Sequence, residues 1–127
     1  MRIVLTAILL LPLPALAETF VIDFVKVLNG NEEEALYYYE NNWTQHRIAA
    51  SKQGFISSYR LMVKNSEDGE TDILLITGYA TDDQFENREA NFDQVMEESR
   101  KAGLKLLNDK QPAEFREVWD SAIYVND

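Results

Sequence analysis

"FISSYRLMVKNSEDGETDILLITGY", Phe55 to Tyr79, reads as two strands joined by a tight turn. Phe55 to Val63 and Asp72 to Tyr79 are rich in β-branched and aromatic residues. Ser66 to Glu70 between them carries Asp68-Gly69, a hairpin signal. Helical patterns flank the pair on both sides. Strands that alternate singly with helices build a parallel sheet, whereas two adjacent strands between helices point to an antiparallel one.

Upstream, Phe20 to Leu28 is a strand with two apolar sides, Phe20/Ile22/Phe24/Leu28 and Val21/Val25/Val27, so both its faces are expected to be covered. Asn29-Gly30 ends it. Asn31 then caps a helix, with Glu34 at capping-box spacing and Glu32 to Glu34 favouring the positive N-terminal end. The helix is expected to run to about Lys52, with Gly54 as its stop. Leu36, Tyr39, Trp43, His46 and Ala50 recur at steps of three and four and make one stripe.

Downstream, Thr81 caps a second helix with Gln84 three residues on, and Phe85, Phe92, Met96 and Ser99 line one side of it. Leu104 to Gln111 is a connection. Phe115 to Val125 is the last strand, with Phe115, Trp119, Ile123 and Val125 on one side. The order β-α-β-β-α-β is the ferredoxin-like α+β arrangement: a four-stranded antiparallel sheet with two helices on one face. The strands look apolar on both sides, and a bare apolar sheet should not remain in water. A second copy is the simplest cover, so a homodimer is expected.

The 127 residues leave room for one domain. The start, MRIVLTAILLLPLPALA, has a basic residue, a short apolar run and an Ala-x-Ala end. It reads as a secretory signal peptide over residues 1–17, leaving a single domain over 18–127 that is periplasmic or secreted. The apolar run is too short to span a bilayer. The net charge of −10 disfavours nucleic acid and anionic membrane surfaces as partners. The chain has no cysteine, which excludes disulfides, thiolate metal sites and cysteine-linked haem.

The chain resembles the dimeric α/β-barrel superfamily, ferredoxin-like proteins in which two sheets pair into a barrel. The resemblance rests on the element order, the long first helix with Trp43 and His46, the junction from Gly54 through Phe55-Ile56-Ser57-Ser58-Tyr59-Arg60, and Ile73 to Tyr79 leading into the second helix. The helix–glycine–"SYR" segment is similar to NIPSNAP-like and antibiotic-biosynthesis-monooxygenase-like domains. The resemblance implies fold more than function, since such domains include cofactor-free monooxygenases, haem-degrading enzymes, isomerases and cyclases. Haem-degrading members use a histidine on the second helix, and Asp82 to Gly103 contains none, so no cofactor is expected.

His46, the only histidine, has two readings. It lines a helix–sheet pocket as catalytic base, its ordinary pKa lying near working pH, or it is a structural group at the helix–sheet boundary. Trp43, Tyr39, Tyr59 and Trp119 are candidate aromatic walls for a small hydrophobic ligand. Arg60, on the opposite sheet face from Tyr59, either holds a substrate carboxylate or pairs with Asp23 or Asp120. Asn42-Trp43-Thr44 matches a glycosylation pattern but falls mid-helix and is discounted. The acids Glu86, Glu89, Asp93, Glu97 and Glu98 read as a solvated helix face rather than a metal site. Two functions follow: a cofactor-independent oxygenase- or isomerase-like binder of a small aromatic molecule, or a non-catalytic module with a filled interior.

Overall fold

The computed structural model of the chain describes residues 18–65 and 67–126. The expected leader lies outside the described residues. The elements are β1 (Thr19–Val27), α1 (Glu32–Tyr38), a π-helical turn (Tyr39–Trp43), α2 (Thr44–Lys52), β2 (Ser58–Asn65), β3 (Thr71–Tyr79), α3 (Asp82–Glu86), α4 (Arg88–Ala102), α5 (Pro112–Phe115) and β4 (Arg116–Val125). The four strands form one antiparallel sheet in the order β2-β3-β1-β4, with the helices on one face. This is the ferredoxin-like α+β fold that the hairpin signal indicates.

Strand alternation assigns the faces. Val25, Val27, Ile73 and Leu75 are buried against Ala35, Tyr39, Trp43 and Phe115, and this is the main core. A second cluster joins Ala50, Ile56 and Tyr79 at the far end of the helix. Ile123 stays 56 % exposed although it pairs with Val21 on the helix side, so the helices leave the β4 edge open. The opposite face carries Phe20, Ile22, Phe24, Leu74, Ile76 and Met62, with no element of the described residues over it. Gly78 lies on that face. A side chain there would run into Ser58 Oγ and the Phe20 ring, so the ring can lie across the strand only because residue 78 has no Cβ.

The first helix is continuous but not uniformly α. Within YYYENNW the Asn41 Nδ2 donates to the Tyr37 carbonyl at 2.9 Å, and the Asn42 Nδ2 donates to the Tyr38 carbonyl at 2.7 Å. These amides occupy carbonyls that an α-helix would pair with the backbone N–H groups of residues 41 and 42, and the turn widens to the π form. Asn31 does not cap as expected. Its side chain bonds Glu114 O and Lys110 Nζ instead, tying the helix start to the last loop. Thr81 does cap: its Oγ1 accepts from Gln84 N at 3.1 Å. The second helix breaks at Asn87, whose Nδ2 folds back on the Asp83 carbonyl.

β4 departs from its expected pattern in two ways. Phe115 belongs to the helical turn α5, not to the strand, and is 1 % exposed. A bulge falls at Trp119, because Phe24 pairs with Asp120 and Val25 with Val118. Trp119 therefore parts from Ile123 and Val125 and stacks on Phe24 of the uncovered face, with ring centroids 5.3 Å apart.

Candidate functional site

The layer between the first helix and the sheet brings together Tyr39, Trp43 and Arg47, all facing the strands. The π turn makes this possible. Seven residues of ideal α-helix return to within about 20° of the starting direction, which would align His46 with Tyr39. The widened turn absorbs one residue, so Arg47 takes that alignment instead.

Arg47 is sandwiched between the Trp43 ring, 4.8 Å from its guanidinium carbon, and the Phe92 ring at 4.2 Å. Its Nε donates to Thr77 Oγ1 on β3 at 2.9 Å. No carboxylate of the described residues lies within ion-pair distance of it. Burial lowers its pKa to about 10, against the pull of Tyr79 and Asp23. It stays charged at neutral pH, and its Trp43 and Phe92 faces supply cation–π stabilisation in place of an anion.

Tyr39 is 5 % exposed and Trp43 is 9 % exposed. The Tyr39 hydroxyl and the Trp43 indole N–H are both buried with no hydrogen-bond partner among the described residues, and so is Arg116 Nε. Leaving such a donor unpaired costs roughly 1–3 kcal/mol each. Burial pushes the Tyr39 phenol far above its ordinary range, with Arg116 opposing, and burial likewise raises Tyr79. Tyr59 meets Trp43 edge-on with centroids 6.3 Å apart. Asp23 sits on the same sheet face, opposite Leu75 on β3 and Ser121 on β4, and accepts from Ser121 Oγ at the open β4 edge.

The expected site residues thus separate into three places. Tyr39, Trp43 and Tyr59 share the helix–sheet layer. His46 turns sideways into a cleft of about 250 Å³ between the first helix and α4, lined by Asn42, Met96, Ser99, Arg100 and Leu104. Its pKa is lowered by partial burial and then by neighbouring Arg47. Trp119 and Arg60 stand on the other face of the sheet. Neither expected ion pair of Arg60 forms. Asp23 is on the opposite face, and Asp120 is on β4, three strands across from β2. Arg47 was not singled out from the sequence, and Asp23 was named there only as an expected partner of Arg60. The only sequence signal for Arg47 was its place one residue past the histidine. Asn42 is buried with both amide atoms engaged: Nδ2 also bonds Lys105 O at 2.8 Å and Oδ1 accepts Lys105 N at 3.0 Å. That arrangement leaves no room for a glycan. Among the described residues no group of three or more His, Asp or Glu could hold a metal ion, and no helix is long and apolar enough to cross a membrane.

No family model matches the chain, and no curated protein matches it. A solved structure, that of a candidate antibiotic biosynthesis monooxygenase from Bacillus cereus, is similar to it with a TM-score of 0.47 and 14% identity, covering 86% of this chain and 92% of that one. No residue role transfers at that level of identity.

Proposed function

We propose that the chain is an exported protein that binds a small, largely aromatic molecule bearing an acceptor oxygen, in the layer between the first helix and the sheet. The observation that carries this is the surplus of buried donors: among the described residues Tyr39 Oη–H, Trp43 Nε1–H and Arg116 Nε–H have no acceptor, and Arg47 has no carboxylate within ion-pair distance. A ligand oxygen satisfies such groups at little cost, since their desolvation is already incurred in the free protein. A ligand in that layer would lie against the rings of Trp43 and Tyr59 and would enter by the open β4 edge beside Asp23 and Ser121.

Turnover of a monooxygenase or isomerase type needs a base in the same layer. Asp23 is there; His46 is on another side of the helix. The second reading, a non-catalytic module with a filled interior, is favoured by the close ring packing of Tyr38 on Tyr39 at 5.0 Å and on Phe115 at 5.4 Å. Native mass spectrometry of the protein purified from its host separates the two. The binding reading expects a small-molecule adduct that is lost in both Tyr39→Phe and Arg47→Met. A protein that is ligand-free from its host, and binds no member of an aromatic carboxylate and phenol panel, belongs to the second reading.

A further inference from the structure

The widened turn that takes His46 out of the helix–sheet layer aims it into a separate hollow of about 250 Å³. One wall is the first helix, with Asn42 and His46, and the other is α4, with Met96, Ser99 and Arg100. The end of the hollow is fixed. The chain turns at Gly103, and Asn42 then holds both backbone polar groups of Lys105, at 2.8 and 3.0 Å. Leu104, between those two residues, is thereby kept in the lining. The walls stand before any ligand arrives, which lowers the ordering cost of binding.

The lining has a definite chemistry. The chain carries 22 acids against 12 basic residues, yet no Asp or Glu of the described residues lines this hollow. The Asn42 amide is already engaged, which leaves the His46 imidazole, the Ser99 hydroxyl and the Arg100 guanidinium as the polar side chains. Among the described residues nothing hydrogen-bonds the His46 ring. Arg100 has Asp93 at 3.5 Å, but both side chains are mostly exposed, and such a pair is worth little. The apolar part is Met96 and Leu104, with no Phe, Tyr or Trp among the lining residues. An adjoining hollow of about 220 Å³ shares His46 and Ser99 but is lined by both Glu98 and Lys105, whose charges cancel.

We propose that the cleft between the first helix and α4 binds a short alkyl carboxylic acid, its carboxylate taken by His46, Ser99 and Arg100 and its chain lying on Met96 and Leu104. The site is independent of the layer beneath the first helix, whose ring-rich surroundings suit an aromatic ligand. A carboxylate accepts from an imidazolium, a hydroxyl and a guanidinium together, and the charged donors make the stronger bonds. Binding also draws a proton to His46. The charged groups around the ring are Arg47 on its own helix, Arg100 and Glu98 on α4, and Lys105 in the loop. Three of the four are cations and oppose protonation in the free protein, whereas a bound anion favours it. Affinity therefore rises as pH falls through the range in which His46 titrates.

His46 is the only histidine of the chain, so a single set of imidazole signals reports on the cleft. The probe is octanoate below its micellar concentration, with octanol as the neutral control. In NMR titrations of the purified protein, octanoate is expected to move the His46 midpoint upward and octanol is not. Calorimetry is expected to show octanoate binding about threefold tighter near pH 6 than near pH 8. Arg100→Glu is expected to weaken octanoate about tenfold. The Arg100 side chain is 63 % exposed, so folding is not at stake. Tyr39→Phe, a change in the layer beneath the helix, is expected to leave the His46 shift intact. Loss of the shift in Tyr39→Phe would place octanoate in that layer and overturn the proposal. An unmoved His46 midpoint at millimolar octanoate, an equal shift with octanol, or undiminished binding in Arg100→Glu would overturn it as well.

Discussion

Arg47 Nε and Thr77 Oγ1 meet at 2.9 Å, joining the first helix to a central strand across a sequence gap of 30 residues. The contact holds a buried cation that stacks on two rings and, among the described residues, has no acid within ion-pair distance. Replacing Arg47 by Lys keeps the charge but loses the planar group that stacks between Trp43 and Phe92. The expected loss is about 1–2 kcal/mol of stability, read from urea denaturation. An unchanged midpoint would remove the guanidinium from its place in the fold.

Tyr39→Phe deletes an unpaired buried hydroxyl. Removing a polar group that has no partner is close to neutral for the free protein, or stabilising by up to about 1 kcal/mol. Ligand binding is expected to fall about tenfold in the same variant. Thermal denaturation and titration calorimetry of the same sample check both, and a large loss of stability would mean that the hydroxyl has an acceptor in solution.

Asn42→Ala removes the side chain that bridges the Tyr38 and Lys105 carbonyls and the Lys105 N–H. The expected cost is about 2–3 kcal/mol. Hydrogen exchange should quicken at Lys105, because that amide loses its acceptor, while the core of β3 stays protected.

His46 gives a pH dependence of defined sign. Its folded pKa lies below its ordinary 6.5, from burial first and Arg47 second. Well above 6.5 the imidazole is neutral in both states and costs nothing. As pH falls below 6.5 the unfolded chain takes up the proton first, so stability drops until the folded pKa is passed. His46→Gln is expected to flatten that part of the profile. Denaturation midpoints between about pH 5 and 7.5 check it, and identical slopes for the two proteins would show that His46 does not titrate with folding.

Much of the fold was legible in the sequence because its signals are local. The hairpin between Phe55 and Tyr79, the Thr81 cap and the glycine stop after the first helix each act over a few residues. Gly54 takes φ +73° as a helix stop requires. The two-sided apolarity of β1 raised the expectation that both its faces are covered, and among the described residues the helices cover one of them.

The site was less legible, for two physical reasons. Periodicity assumes one helical pitch, and the Asn41 and Asn42 amides change the pitch by bonding carbonyls one turn back. Reading on at 3.6 residues per turn carried His46 into the position that Arg47 holds. In β4, strict alternation put Trp119 with Phe115 and Ile123, but one bulged residue sends Trp119 to the far face. Both errors are a single residue long, and each moved an aromatic or ionisable side chain from one surface to another.

The widened turn also makes the helix–sheet layer convertible by the smallest change of length a gene can undergo in frame. Loss of one codon from the Glu40–Asn41 pair would let the helix run at regular pitch. The imidazole would then swing under the helix and the guanidinium would swing out toward α4. A chain with the same strands and the same hairpin would carry a titratable base where this one carries a fixed cation, so a descendant could exchange anion capture for proton transfer without redesigning its sheet.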